Sequence, residues 1–357
     1  VDPVVNGVNQ PTGTCADSST HTTAKKRIQV VSKKQRFIVV AAATAALAGL
    51  LAGNAQADPT GPPTYRDLVG VGSDTTQTVL NGLADSVTVN GVKVLGSYDA
   101  RGSAQIVTKD PATNPACSIA RPENSGGGVT ALQNDIQAGT NCVQFARSSS
   151  NSAATNPNLK FIPFAVDALT YAVRSDSSVP KKLTKLQLTA IYTCANTAFK
   201  PLAPQFGSGS RSFFVKNVMP SGTVDSATLF GVGGQYSCVN DKDASGEGIQ
   251  EHVGTYLTDV KNLVPYSIAV YNSQVYGNAP AAQGKAVLGT IDNVQPTNMN
   301  TNSILKRDVY NVIPADKLAV APYSTVFVGG DSLVCKATDV ITRYGFGVNP
   351  TCGQPVQ

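Results

Sequence analysis

Tryptophan is absent from this 357-residue sequence, and methionine and histidine each occur only twice. After residue 57 a single histidine is left, His252, flanked by Glu251 and Val253 with no nucleophile or metal partner at a recognisable spacing. A solvent-facing imidazole is therefore expected rather than a catalytic one. GxSxG, HExxH and phosphate-loop motifs are missing, so no catalytic signature is legible and the chain reads as a non-enzyme. No CxxC spacing occurs, which sets aside zinc binding and thiol catalysis, and no cofactor is expected. Asp241-Lys242-Asp243-Ala244-Ser245-Gly246-Glu247 matches a calcium loop only in its first three positions and is too short to reach its acidic end, so a solvated loop is expected.

Charge is scarce too, at 14% of residues, and the net +5 is unevenly placed. Residues 1–57 carry six basic and two acidic side chains, which leaves 22 basic against 21 acidic in the remainder. A nearly neutral chain offers nothing to a polyanion, which argues against a nucleic-acid partner. The front excess has another reading. Lys33-Lys34-Gln35-Arg36 precedes an uncharged apolar run from Phe37 to Leu51 that ends in Asn54-Ala55-Gln56-Ala57. Basic flank, short apolar run and small-x-small ending predict a secretory signal peptide cleaved after Ala57 and an extracellular or cell-envelope destination. The run is short for a spanning helix. Val30 or Val31 is an expected translation start, and no cysteine stands at the cleavage point for lipid attachment.

Cysteine usage fits export. Cys15 leaves with the leader, and Cys117, Cys142, Cys194, Cys238, Cys335 and Cys352 form an even set. Six cysteines permit 15 pairings, of which nearest neighbours (117 with 142, 194 with 238, 335 with 352) are the simplest.

What is present is a recurrent pattern of apolar strand followed by a loop of glycines and hydroxyls. Leu68-Val69 runs into Gly70-Val71-Gly72-Ser73-Asp74-Thr75-Thr76-Gln77, where the glycines allow a sharp turn and the polar run starts a helix with unpaired N–H groups. Such a helix start is an anion seat. Pro220-Ser221-Gly222-Thr223 is expected to be a second seat, after a strand over 211–218. Gly102-Ser103 and Arg147-Ser148-Ser149 are further loops of the kind. Val87 to Val94 reads as a hairpin around Asn90-Gly91, and Val129, Leu132 and Ile136 as one face of a helix ended by Gly139. Leu183 to Ile191 and 249–263 read as helices. Phe161 to Val173 and Val264 to Tyr271 are long apolar strands suited to crossing between two lobes. Strands alternating with helices argue an α/β fold with ligands at the carboxyl ends of strands.

The order of these segments resembles the phosphate-binding proteins of ABC transporters, and more loosely the secreted DING phosphate binders. The motifs are a GxGxT-type loop (Gly70, Gly72, Ser73, Asp74, Thr75), a Gly-Ser loop (Gly102, Ser103), and a Phe-x-x-Ser-Asp loop met by Phe145 to Ser149. An Arg-x-x-x-Ser-Gly-Thr loop is met by Asn217 to Thr223, and a return strand by Tyr266 to Val270. The resemblance covers residues 66 to 345. It implies a two-lobe type 2 periplasmic-binding fold with two interlobe crossing strands: a first lobe from 58–165 and 265–357, and a second from 166–264. It implies capture of a small oxyanion, inorganic phosphate foremost, by Ser73, Asp74, Thr75, Ser103, Arg147, Ser148, Ser149, Ser221, Gly222 and Thr223. It also implies a monomer that serves an ABC transporter permease.

Two departures bear on the ligand. Asn217 stands where the family has a buried arginine, and Ser149 where it has an aspartate that accepts the proton of phosphate. Arg147 and Asp74 are charges at positions the family leaves small or neutral. Asp74 either caps its helix or takes over as proton acceptor, and Arg147 is either a ligand or a surface arginine. The alternative function is a secreted surface or matrix protein that keeps the scaffold without the ligand.

Overall fold

The structure, a computed structural model, describes residues 58–296 and 305–356, so the expected signal peptide lies outside the described residues. Nine strands form one mixed sheet. In chain order they are β1 (Leu68–Gly72), β2 (Leu95–Ser97), β3 (Phe145–Ser148), β4 (Leu159–Arg174), β5 (Lys200–Pro201), β6 (Asn262–Ser267), β7 (Ala286–Leu288), β8 (Lys306–Pro314) and β9 (Gly347–Val348). Among the described residues eight α-helices accompany them: α1 (Gln77–Ser86), α2 (Ser125–Ala138), α3 (Lys185–Tyr192), α4 (Gly209–Val218), α5 (Ile268–Val275), α6 (Tyr323–Phe327), α7 (Leu333–Lys336) and α8 (Thr338–Arg343).

The 16-residue β4 joins the two halves. Its first part, Leu159 to Ala168, pairs antiparallel with β8, and its second, Leu169 to Val173, pairs antiparallel with β6. The cores divide at the same place. Ala165 and Ala168 pack with Leu68, Leu80, Phe145 and Phe327, whereas Leu169, Tyr171 and Val173 pack with Leu188, Tyr192, Phe214 and Leu263. In the first half β1 lies between β2 and β3 and is parallel to both. All five of its residues are buried, which is why Leu68 to Gly72 reads as a continuous apolar run instead of an alternating one.

Local signals explain most helix starts. Asn124 accepts from Gly127 N at the start of α2, which ends at Gly139 in the left-handed region. Thr184 and Gln187 form a capping box on α3. The hairpin around Asn90-Gly91 and the helix over 185–192 form as the sequence predicts. The three nearest-neighbour disulfides, Cys117–Cys142, Cys194–Cys238 and Cys335–Cys352, are all present.

Three segments differ from expectation. Residues 211–218 are helical, not extended, because Ser208 caps α4 by accepting from Arg211 N, and Phe214, Val215 and Val218 then fall on one buried face. The strand expected to reach Tyr271 stops at Ser267, whose hydroxyl accepts from Val270 N and opens α5. Residues 249–263 hold one short 3-10 turn, Gly254–Tyr256, instead of a long helix. Gly254 N donates to Ala282 O, and a Cβ at Gly254 would stand 2.0 Å from Gln283 O, so the chain here is pinned to a neighbouring loop. Farther along, β7 pairs with the second part of β4, and Thr290-Ile291 pairs with Lys182-Leu183.

Candidate functional site

Three helix starts meet at one buried cluster of hydroxyls. Thr75 precedes α1, Ser125 is the first residue of α2, and Ser208 and Ser210 cap and open α4. Ser149, just beyond β3, completes the set. Thr75 Oγ1 lies 3.4 Å from Ser149 Oγ and 3.2 Å from Ser210 Oγ, and Ser125 Oγ lies 3.3 Å from Ser149 Oγ. Gly209 makes this approach possible, since a Cβ there would stand 2.5 Å from Ser149 Oγ and 2.7 Å from Ser125 Oγ. Gly128 does the same one turn along α2, where a Cβ would meet Gly72 Cα at 2.6 Å.

A cation reaches the cluster from the sheet. Arg307 on β8 sits opposite Asp167 on β4, and its Nη2 donates to Asp167 Oδ2 at 2.8 Å and to Ser210 Oγ at 2.7 Å. Nη1 donates to Ser149 O at 3.0 Å. Asp167 Oδ1 accepts from Ser267 Oγ and Ala269 N, so the carboxylate that orients the guanidinium is itself held by the cap of α5. Strand register, not a loop, sets the arginine in place.

The cluster holds an anion supplied by the chain. Glu251 is fully buried, and its Oε1 accepts from Thr75 Oγ1 and from Ser210 Oγ at 2.5 Å, its Oε2 from Ser208 Oγ at 3.3 Å. Burial, and secondarily the charge of Asp74, push the Glu251 carboxyl above its usual range, while His252 and the hydroxyl donors act against that. His252 Nδ1 stands 3.5 Å from Asp74 Oδ2, at the outer edge of a hydrogen bond. Desolvation alone would lower the imidazole pKa, but the nearby carboxylates of Asp74 and Glu251 outweigh it and raise it. The expectation of a solvent-facing His252 is thus corrected: it is 9% exposed and paired across the site. Asp74 and His252 also border a cavity of about 370 Å³ whose lining includes Asp58, Asp85 and Asp99.

Of the ten residues expected to bind the ligand, Thr75 and Ser149 are in the cluster. Asp74 borders it through His252, and its Oδ1 accepts from Thr75 N, the next residue, so it does not cap α1, whose N-cap is Thr76. Ser73 is fully buried, with its Oγ unpartnered and its N–H donating to Arg147 O. Ser148 is occupied in a turn, with its hydroxyl donating to Ser150 O at 2.7 Å. Arg147 is neither ligand nor surface residue. It is wholly buried, donates to the carbonyls of Gly70, Gly72 and Ser73 and to Ser97 Oγ, and has its pKa lowered to about 10 by that burial. Ser103 accepts from Arg121 and donates to Gln105 O in an exposed loop. Ser221 and Gly222 are exposed, and Thr223 bonds back to Pro220 O within the same turn. The turn that meets Thr75 and Ser149 is Ser208-Gly209-Ser210, while Ser221-Gly222-Thr223 bonds within its own turn.

Ser125, Ser208, Ser210, Asp167, Glu251 and Arg307 are the site residues that the sequence reading missed. A signal existed for the first three. Asn124-Ser125-Gly126-Gly127-Gly128 and Gly207-Ser208-Gly209-Ser210 each combine a capping side chain with small residues ahead of a helix. Arg307 and Glu251 carry no local mark, since a strand register and a loop path bring them in.

The family model described as PBP superfamily domain matches residues 57–328. A search of curated proteins finds no match. Solved structures with a similar course include an ABC-type phosphate transport receptor from Vibrio cholerae (14% identity, 79% of this chain and 100% of that one, TM-score 0.47). They also include a phosphate-binding protein from Stenotrophomonas maltophilia (12%, 80% and 91%, 0.46) and PstS from Borrelia burgdorferi (15%, 79% and 98%, 0.41).

Proposed function

We propose, from the premise that this chain belongs to the PBP superfamily domain family, that it captures a small oxyanion between its two halves and releases it unchanged. One observation supports this above the others: three hydroxyls at helix starts donate to a single carboxylate, with the hydroxyls of Ser125 and Ser149 beside them and Arg307 behind. Helix N-termini and hydroxyl donors favour an anion there. Inorganic phosphate is the ligand we put first. Hydroxyls both donate and accept, so they suit an anion whose oxygens are partly protonated at neutral pH. Sulfate carries no such proton.

The two lobes we assign are 58–165 with 265–285 and 305–356, and 166–264 with the added strands of 286–291. Thr75, Ser125, Ser149 and Arg307 belong to the first, Ser208, Ser210 and Glu251 to the second, so closure would bring the donors together about the ligand. On this reading the protein works outside the cell as a monomer that delivers its ligand to a transporter permease and does no chemistry on it. Calorimetric titration with phosphate tests this. A charge-assisted hydrogen bond contributes about 1.5–3 kcal/mol, so Ser210→Ala is expected to weaken binding by roughly ten- to a hundredfold. No heat at millimolar phosphate from the folded protein removes the reading.

A second reading has its own observation. Glu251 already occupies the donors, as it would in a secreted surface or matrix protein that kept the scaffold and gave up the ligand. Heat of binding from the wild-type chain refutes it.

A further inference from the structure

Glu251 does more than border the seat. Its two oxygens take the donors of Thr75, Ser208 and Ser210 that an incoming anion would need, and the neighbouring hydroxyls stand 3.2–3.4 Å from one another. An anion with four oxygens fits only if the hydroxyls part and the carboxylate leaves, since two anions sharing the same donors repel. The segment carrying it is tied at both ends and closed in. Ile249 O accepts from Gln205 N and Ile249 N donates to Asp241 O, His252 O accepts from Gln274 Nε2, and the ring of His252 faces Asp74. Gln250, Glu251 and His252 are all at most 9% exposed.

We infer that Glu251 is a resident competitor of the oxyanion seat: a tethered carboxylate that external ligand must displace, so that capture is coupled to release of the 250–252 segment and to parting of the Asp74–His252 pair. The inference rests on the oxyanion reading above. Tethering keeps the carboxylate at an effective concentration of about millimolar or more without any ligand added. Apparent affinity is the intrinsic affinity multiplied by the fraction of molecules with the seat open, so a seat filled in roughly nine molecules of ten binds about tenfold more weakly than a vacant one. The competitor acts on any anion of the seat. It therefore sets the ligand concentration at which the protein loads, and it leaves the preference among anions to the hydroxyls and Arg307.

The test uses the full chain and its variants Glu251→Ala, which empties the seat, and Glu251→Gln, which keeps the shape and removes the charge. Each is titrated with phosphate and with sulfate by calorimetry, and its melting temperature is followed with added formate, a free carboxylate of the same kind as the one removed. Both variants are expected to bind phosphate at least tenfold more tightly than wild type, with a similar gain for sulfate. Formate is expected to raise the melting temperature of Glu251→Ala and to leave that of wild type unchanged. Equal or weaker phosphate binding in both variants overturns the inference while leaving oxyanion capture standing, because the carboxylate would then be idle or part of the bound complex. Folded variants that respond to none of the three anions overturn both.

Discussion

The pair formed by Asp167 and Arg307 gives the sharpest test of how this site is built. Asp167 is fully buried and Arg307 is 5% exposed, and they exchange two hydrogen bonds, of 3.2 Å and 2.8 Å. Arg307→Met removes both, along with the donors to Ser149 O and Ser210 Oγ, and strands a carboxylate that keeps only Ser267 Oγ and Ala269 N. Breaking a buried pair from one side costs about 3–5 kcal/mol. With an unfolding entropy of about 2.1 cal/mol/K per residue over roughly 300 residues, that is a fall of about 5–8 °C in melting temperature. Asp167→Asn alone leaves the guanidinium uncompensated and belongs in the same range. The double variant Asp167→Asn/Arg307→Met strands neither charge, so its loss should fall short of the summed single losses by about 2 kcal/mol or more. Calorimetric melting and urea unfolding of the four proteins measure this cycle. Single losses below about 1 kcal/mol, or a double loss that equals the sum within about 0.5 kcal/mol, would refute the claim that this is a coupled, desolvated pair.

Gly209→Ala places a methyl group against Ser149 and Ser125; the overpacking should cost about 1–3 kcal/mol in unfolding experiments and abolish phosphate heat, and unchanged binding would mean the helix start does not approach the strand loop so closely. Because the folded pKa of His252 lies above its free value of 6.5, its contribution to stability is full below pH 6.5 and is lost as pH rises through the folded value. Glu251, also raised above its free value of 4.5, adds loss of the same sign from lower pH upward. Thermal melts from pH 5 to pH 9 should therefore slope downward, with a flatter slope in His252→Gln above pH 6.5; an equal slope in both contradicts the Asp74 pairing. The Cys194–Cys238 bridge spans 44 residues, and its removal by the double alanine variant should cost about 4 kcal/mol by loop-closure entropy, read from urea midpoints. Ser221→Ala/Thr223→Ala should leave phosphate affinity within about twofold, and a tenfold loss would return the second seat to where sequence alone placed it.

How much was readable depended on the range over which each feature is encoded. The alternation of apolar strands with hydroxyl-bearing turns made the α/β class legible, and with it the hydroxyl-bearing turn at Thr75. The caps at Thr184 and Gly139 and the hairpin turn at Asn90-Gly91 are set by interactions within a few residues, so they too could be read directly. Arg147 misled because a charged residue in a polar loop looks available, whereas the fold buries it under three carbonyls. Ser221-Gly222-Thr223 was singled out because its composition suits an anion seat, while the cap that starts the helix, Ser208, stands thirteen residues before Ser221.

The sequence by itself thus determined the local apparatus: the α/β alternation, the starts of α1, α2 and α3, and which turns carry hydroxyls. Tertiary structure decided which of those hydroxyls meet. The register of β8 against β4 sets Arg307 opposite Asp167, and the path of the 249–252 loop brings Glu251 into the seat. The physical reason is separation along the chain. A cap is satisfied within one turn, but the contact from Thr75 to Glu251 spans 176 residues, and only the packing of both halves about β4 brings them within a hydrogen bond.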